Sequence, residues 1–100
     1  DCLFAPGLKI ESDIAAVVRA VAPKPVNVVV SAPGFTVAQL AKLGVRRVSV
    51  GGALARCARG AFMGAARQIS ETGSFESLRD AAPVPVLNAL MKLTSNAETA

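Results

Sequence analysis

The sequence predicts an α/β protein, specifically a partial (β/α)8 barrel of the TIM type. Short strand-like runs begin at Cys2, Val26 and Arg47, so predicted strand starts recur at a spacing of twenty-odd residues. Apolar residues recur at helical spacing between these runs, and such short βα repeats require parallel strands with right-handed crossovers. The middle run is rich in valine and uncharged, which is typical of a strand buried on both faces.

Two architectures accept this repeat: a doubly wound open sheet and a (β/α)8 barrel. A complete barrel typically needs about 250 residues, whereas this chain has 100 residues and three predicted strands. Apolar residues make up 52% of the chain, which is high for so short a sequence. Because a small domain leaves much of its surface exposed, this excess favours a partial barrel whose other strands are absent.

The first predicted strand covers residues 2–5 and ends at the turn signal Pro6 and Gly7. Ser12 is expected to cap the helix that follows, over residues 12–22. Apolar residues of this segment recur at helical spacing, namely Ile14, Val17, Val18 and Val21. The segment is therefore expected to pack one face against the sheet.

The second predicted strand covers residues 26–30 and continues into the loop at residues 31–34. Thr36 is expected to cap a short helix, and Gly44 is expected to end it. The third strand, at residues 47–50, follows at once. These elements complete the β-α-β-α-β part of the pattern.

The longest helix is predicted over residues 53–72, directly after Gly51 and Gly52, and Gly73 ends it. Ser74 is expected to cap a short helix that continues through residue 81. Pro85 opens a last helix, because proline is tolerated in a first helical turn. We therefore expect two short helices after the third βα unit.

Composition excludes several classes of function. The chain has 11 Lys and Arg against 7 Asp and Glu, a net charge of +4, but these residues are scattered and no Tyr or Trp is present to stack on bases. No run is long and uncharged enough to span a bilayer. We therefore expect a cytoplasmic protein with no nucleic-acid or membrane partner. Cys2 and Cys57 are expected to be buried free thiols.

In either architecture, function lies at the carboxyl ends of the strands. Those ends contain no ionisable group, and the chain has no His. The carboxylates fall in helices, at helix starts or at the termini: Asp1, Glu11, Asp13, Glu71, Glu76, Asp80 and Glu98. A general acid/base pair or a three-ligand metal site is therefore not visible. Arg46 and Arg47 lie at the start of the third strand, where solvated or salt-bridging roles are expected.

Asn27 interrupts the valine strand. A buried amide is costly unless its donors and acceptor are paired, so Asn27 is either a satisfied structural residue or a group presented to a ligand. Gly51 and Gly52 precede a helix N-terminus, where they either bind an anion or form a tight turn. They do not follow the G-x-G-x-x-G spacing of dinucleotide sites. An alternative function is therefore a small α/β module that binds an anionic ligand there.

Five segments carry a family resemblance: DCLFAPG at residues 1–7, PVNV at 25–28, LAKLGVRRVSVGGALAR at 40–56, ETGSF at 71–75 and LNAL at 87–90. Together they resemble the C-terminal part of the isocitrate lyase/phosphoenolpyruvate mutase family. The resemblance implies the last three βα units of a (β/α)8 barrel plus its C-terminal helices. Residues 1–94 would belong to the barrel domain, and residues 95–100 would form a tail.

The resemblance also implies a chemistry. Family members use Mg²⁺ to act on 2-oxo-acid or enolpyruvate-type carboxylates, making or breaking a C–C or P–C bond. The Mg²⁺ ligands and catalytic loop belong to earlier strands, so the chain alone is expected to be inactive. A small carboxylate substrate is the implied ligand. The intact parent is expected to be a homo-oligomer, with Gly60 and Gly64 packing closely at an interface.

The site residues follow from the same resemblance. Asn27 falls where family lyases present an amide to a substrate carboxylate. Pro6, Gly7 and Ser31 are the expected substrate contacts at the strand ends. Several family lyases have a Glu where this sequence has Pro6, which argues against strict isocitrate or methylisocitrate cleavage.

Overall fold

The computed structural model describes the backbone of residues 1–99 and the side chains of residues 1–92. Its strands are β1 (Leu3–Phe4), β2 (Val26–Val29) and β3 (Arg47–Ser49). Its helices are α1 (Glu11–Val21), α2 (Val37–Lys42), α3 (Ala53–Thr72) and α4 (Val84–Thr99), with a 3-10 helix at Glu76–Asp80. The chain divides into two compact units, Asp1–Arg59 and Gly60–Ala100.

The first unit is a parallel sheet in the order β1-β2-β3, as the βα repeat predicts. Val26 and Val28 lie on the face that packs against the helices, and Asn27 lies on the opposite face because side chains alternate along a strand. The buried apolar core of this unit comprises Ile14, Val26, Val28, Leu40 and Val45. The sheet thus separates a helix-covered face from a face that carries Asn27.

Helix α1 begins without a side-chain cap. Its N-cap residue is Ile10, so the predicted cap at Ser12 is wrong. The Ile10 carbonyl accepts hydrogen bonds from the backbone N–H groups of Asp13 and Ile14. Glu11 and Asp13 lie in the first turn, where negative charge favours a helix start. The helix is anchored by Ile14, which is fully buried against the sheet.

Helix α2 has the ends that the sequence predicts. The Thr36 hydroxyl accepts from the Gln39 N–H at 3.1 Å, and the Gln39 side chain accepts from the Thr36 N–H at 2.8 Å, which is a capping box. Gly44 follows the helix with φ of +92°. The N–H of Val45 then donates to the Leu40 carbonyl at 3.1 Å. This is a Schellman ending, and it places both Leu40 and Val45 in the core.

The second unit contains the rest of α3 and the elements after it. Gly73, with φ of +70°, ends α3 as predicted. The Ser74 hydroxyl accepts from the Glu76 N–H at 3.3 Å, but the N-cap residue of the 3-10 helix is Phe75, so the predicted cap at Ser74 is wrong. Gln68 holds this helix to α3 because its side-chain oxygen accepts from the hydroxyl of Ser77 at 2.6 Å.

The boundary between residues 1–94 and a tail at residues 95–100 stays a prediction. The backbone of α4 continues to Thr99, and residue 100 lies outside the described residues.

A Cβ added at Gly60 or Gly64 would meet no atom of the described chain within 4 Å, so close packing at these glycines stays a prediction about an oligomer.

Few apolar side chains are buried among residues 1–92. Large apolar residues of α3 and α4 are exposed, including Phe62 at 74%. Cys57 is exposed and Cys2 is half-buried, so the expectation that both thiols are buried is wrong. Among the described residues, no helix is both long and apolar enough to cross a membrane.

Candidate functional site

A cleft of about 370 Å³ lies at the carboxyl ends of β1 and β2. It is lined by residues that follow these two strands: Leu8, Lys9, Val29, Val30, Ser31, Ala32, Pro33, Gly34 and Phe35. Parallel α/β folds bind ligands at this edge of the sheet. The predicted contact Ser31 is therefore part of a cleft in the expected place.

An arginine from another element holds the loop that forms this cleft. The guanidinium Nη2 of Arg56, in the first turn of α3, donates to the Ser31 carbonyl at 3.0 Å. The contact connects residues far apart in sequence. It ties the loop after β2 to the start of α3, which limits the positions that the cleft wall can take.

Lys9 is a cleft residue that the sequence pattern did not indicate. It lines the cleft although it lies five residues beyond the last residue of β1. The strand-end rule points only to the residues that directly follow each strand, and those contain no ionisable group. Lys9 gives the cleft a positive charge, which favours an anionic ligand.

Pro6 and Gly7 form the turn after β1, and both are exposed. Gly7 has φ of +92°, a conformation that glycine adopts at little cost. The cleft lining begins at Leu8, one residue later. A direct substrate contact from Pro6 or Gly7 stays a prediction.

Gly51 and Gly52 form the turn between β3 and α3. Gly51 has φ of +54°, and the N–H of Ala53 donates back to the Val50 carbonyl at 3.0 Å. The tight turn that the sequence allowed is thus present, and it uses one of the free N–H groups at the start of α3. Anion binding at these two glycines stays a prediction.

Asn27 is at the centre of a polar cluster on the face of the sheet opposite the helices. Its side chain is buried, with 2% exposed. Asn27 Nδ2 donates to Ser49 Oγ at 3.0 Å, and Asn27 Oδ1 accepts from Arg47 Nε at 3.1 Å. We call Asn27, Arg47 and Ser49 the amide cluster. Each amide atom has a partner, and one N–H of Nδ2 remains for a ligand.

The register of the sheet sets the direction of the Asn27 amide. Asn27 pairs with Arg47, whereas Ser49 pairs with Val29, two residues closer to the carboxyl end. The amide oxygen therefore faces Arg47, directly across the sheet, and the amide nitrogen faces Ser49, on the carboxyl-end side. Val29 lines the cleft, and it lies about 7 Å beyond Asn27 along an extended strand.

Arg47 and Ser49 were not expected in a site. Arg47 was expected in a solvated or salt-bridging role. It is the first residue of β3, where the third strand was predicted to begin, and its side chain bonds to Asn27. The ion pair found among the described residues joins Arg79 to Glu76 instead. Alternation along β3 puts Arg47 and Ser49 on one face, but only the register shows that this is the face of Asn27.

The described residues do not fit a magnesium site. No group of three His, Cys, Asp or Glu side chains among them lies close enough to hold a metal ion. Magnesium prefers carboxylate oxygens and water as ligands, and the cleft lining contains no carboxylate.

The model of the phosphoenolpyruvate phosphomutase family matches residues 1–70. This range contains β1 to β3, the cleft and the amide cluster. No curated protein sequence matches the chain.

Solved structures match nearly the whole chain. A Burkholderia cenocepacia protein described as a lyase/mutase is 47% identical with a TM-score of 0.81, and the match covers 92% of this chain and 34% of that one. Oxaloacetate acetylhydrolase, solved with its product oxalate, is 23% identical with a TM-score of 0.71, and the match covers 98% of this chain and 37% of that one. The 2,3-dimethylmalate lyase is 20% identical with a TM-score of 0.70, and the match covers 97% of this chain and 37% of that one.

The chain spans about a third of the length of each of these structures. Its three parallel strands and helices are therefore a partial (β/α)8 barrel, which confirms the predicted fold class. The resemblance inferred from the five segments is confirmed as well. By its match to the family model over most of its length and by its likeness to the Burkholderia protein, this chain belongs to the phosphoenolpyruvate phosphomutase family.

Proposed function

We propose that this chain supplies part of the substrate site of a lyase or mutase that acts on small 2-oxo-acid or enolpyruvate-type carboxylates. The reaction would make or break a C–C or P–C bond. The observation that carries the proposal is the amide cluster, which offers hydrogen-bond donors on the sheet face that becomes the interior of a barrel. One fold neighbour is named for oxaloacetate, a 2-oxo acid, and was solved with its product oxalate, and another is named for 2,3-dimethylmalate, a small dicarboxylate.

Asn27 is suited to bind a carboxylate. Its Nδ2 lies on the carboxyl-end side of the amide and keeps one N–H beyond the bond to Ser49, and an amide donor binds a carboxylate without any proton transfer. Hydrogen bonds to charged groups are stronger than those between neutral groups. Lys9 adds a positive charge to the cleft at the same end. These residues would bind and orient a carboxylate, with Pro6, Gly7 and Ser31 as further contacts at the strand ends.

The chain would not catalyse the reaction by itself. Mg²⁺ and an acid/base group would come from residues outside this chain, since its described residues hold no cluster of metal ligands. When bound, the metal would stabilise negative charge that develops on the substrate. We further propose that the intact protein is a cytoplasmic homo-oligomer.

The first test measures carboxylate binding by the intact protein that contains this chain. We expect oxalate to bind in the presence of Mg²⁺ by titration calorimetry, and Asn27→Ala to weaken binding about tenfold, which corresponds to about 1.4 kcal/mol. Asn27→Asp keeps the size of the side chain and its bond to Arg47, but it has no N–H donor. We expect it to weaken binding more than Asn27→Ala does, because a carboxylate repels the ligand.

Thermal unfolding of both variants provides the control for folding. If folded Asn27→Ala and Asn27→Asp proteins bind oxalate within about threefold of wild type, roughly 0.65 kcal/mol, the proposed role of Asn27 is wrong. The intact protein should also cleave oxaloacetate or 2,3-dimethylmalate with Mg²⁺, the two trial substrates that the fold neighbours suggest. Failure to bind oxalate and to act on either compound would contradict the proposed function.

A further inference from the structure

We propose that Arg47 is a positioning residue that sets the direction of the Asn27 amide and so makes Asn27 competent to bind a carboxylate. This inference rests on the proposed function and goes further, because it assigns a role to a residue that would not itself touch the substrate. The three members of the amide cluster come from two neighbouring strands, and their hydrogen bonds determine which way the amide faces.

A primary amide can occupy its site in two orientations that differ by exchange of oxygen and nitrogen. The two orientations have nearly the same shape, so packing alone does not distinguish them. Hydrogen-bond partners do, since the oxygen only accepts and the nitrogen only donates. For Asn27 the partners are the Ser49 hydroxyl and the Arg47 guanidinium.

Ser49 is indifferent to the orientation of the amide. Its hydroxyl accepts from Asn27 Nδ2 in the observed orientation, at 3.0 Å. In the exchanged orientation the same hydroxyl would rotate and donate to the amide oxygen, because a serine hydroxyl is both donor and acceptor. Ser49 therefore holds the amide in place without selecting its direction.

Arg47 does select the direction. Its Nε–H donates to Asn27 Oδ1 at 3.1 Å, and a guanidinium has no acceptor atom. In the exchanged orientation, the N–H groups of the buried Asn27 amide would face this N–H and would have no acceptor there. Such an unpaired group is costly inside a protein. Of the two partners, only Arg47 makes the observed orientation preferable.

The selected direction is the one that the proposed site needs. Arg47 pairs with Asn27 in the sheet, while Ser49 lies two residues closer to the carboxyl end. With the oxygen held by Arg47, the amide nitrogen lies on the carboxyl-end side, where one N–H bonds to Ser49 and the other is left for a ligand. With the amide exchanged, its oxygen would face the same end, and that oxygen would repel a carboxylate.

The matching test is a double-mutant cycle on oxalate binding by the intact protein in the presence of Mg²⁺. We expect Arg47→Met to weaken oxalate binding about fivefold when Asn27 is present, and less than about twofold in the Asn27→Ala background, because a residue that acts through another shows such non-additivity. Arg47→Lys keeps a donor without an acceptor, and we expect it to retain more binding than Arg47→Met.

Arg46→Met is the matched control, since it removes the same charge from the adjacent exposed residue that lies outside the amide cluster. We expect it to leave oxalate binding within about twofold of wild type, as surface charges contribute little. If Arg47→Met does not unfold cooperatively, Arg47→Gln replaces it in the double-mutant cycle. A glutamine amide both donates and accepts, so it also fails to select the direction of the Asn27 amide.

An equal effect of the Arg47 variant with and without Asn27 would overturn the inference, and would indicate direct contact with the ligand or a general effect on folding. An Arg46→Met variant that binds as weakly as Arg47→Met would also overturn it, in favour of simple charge attraction. If the wild-type protein binds no oxalate, the proposed function fails first and this inference fails with it. Oxalate binding that depends on Asn27 but not on Arg47 would overturn this inference alone.

Discussion

Replacing Leu40 with alanine is expected to lower the free energy of unfolding by about 2–5 kcal/mol. Leu40 lies in α2 with 1% of its surface exposed, and it packs with the buried residues of the sheet and of α1. Truncation removes buried methyl groups and leaves a cavity that the short helix fills only in part. Urea unfolding followed by circular dichroism measures the loss.

Val37 provides the matched control in the same helix, since 74% of its surface is exposed. Val37→Ala should change the free energy of unfolding by no more than about 0.5 kcal/mol. Equal losses for the Val37 and Leu40 variants would show that the core does not lie between α2 and the sheet. A loss below about 1 kcal/mol for Leu40→Ala would contradict the prediction, because even small truncations in a packed core cost about this much.

Gly44→Ala is expected to lower the free energy of unfolding by about 2–4 kcal/mol, from two effects at one position. Gly44 has φ of +92°, which is strained for any residue with a Cβ. An added Cβ would also lie 2.8 Å from Val18 Cγ1, which is closer than van der Waals contact allows. The glycine therefore ends α2 and also permits α1 to pack against that end.

Gly7→Ala separates these two effects. Gly7 has the same φ of +92°, but no atom lies within 4 Å of its Cβ position. We expect Gly7→Ala to lower the free energy of unfolding by about 1 kcal/mol, from backbone strain alone. Combining Gly44→Ala with Val18→Ala should recover the part of the loss that comes from the contact. A Gly44→Ala variant no less stable than the Gly7→Ala variant would show that the contact with Val18 costs nothing.

The turns and caps of α2 were predictable because their signals are local. Thr36 is a strong N-cap residue and Gly44 a strong helix-ending residue, and both act through neighbours within one turn. Ser12 has the same local preference as Thr36, but α1 begins one residue before it, with Ile10 as the N-cap residue. A cap preference alone thus does not fix a helix start when the preceding backbone already provides the acceptor.

The candidate site was predictable only in part. Asn27 was a candidate because burying an amide in a valine strand is costly unless the amide is hydrogen-bonded. Ser31 was a candidate because it directly follows a strand. Lys9 lies beyond the turn after β1, so its position depends on how that turn returns toward the loop after β2. Arg56 is likewise on α3 but bonds to the Ser31 carbonyl, a contact between distant segments that no local pattern encodes.

The sequence by itself determined the parallel βα order, the buried valine strand and the family, because strand spacing, apolar runs and extended motifs are all properties of the linear chain. Only the tertiary structure decided what surrounds Asn27. Alternation predicts that Arg47 and Ser49 share one face of β3, but the register of β3 against β2 decides that they face Asn27, since a shift by one residue would turn both away. Sheet register is a property of paired strands, and the direction of the Asn27 amide depends on it.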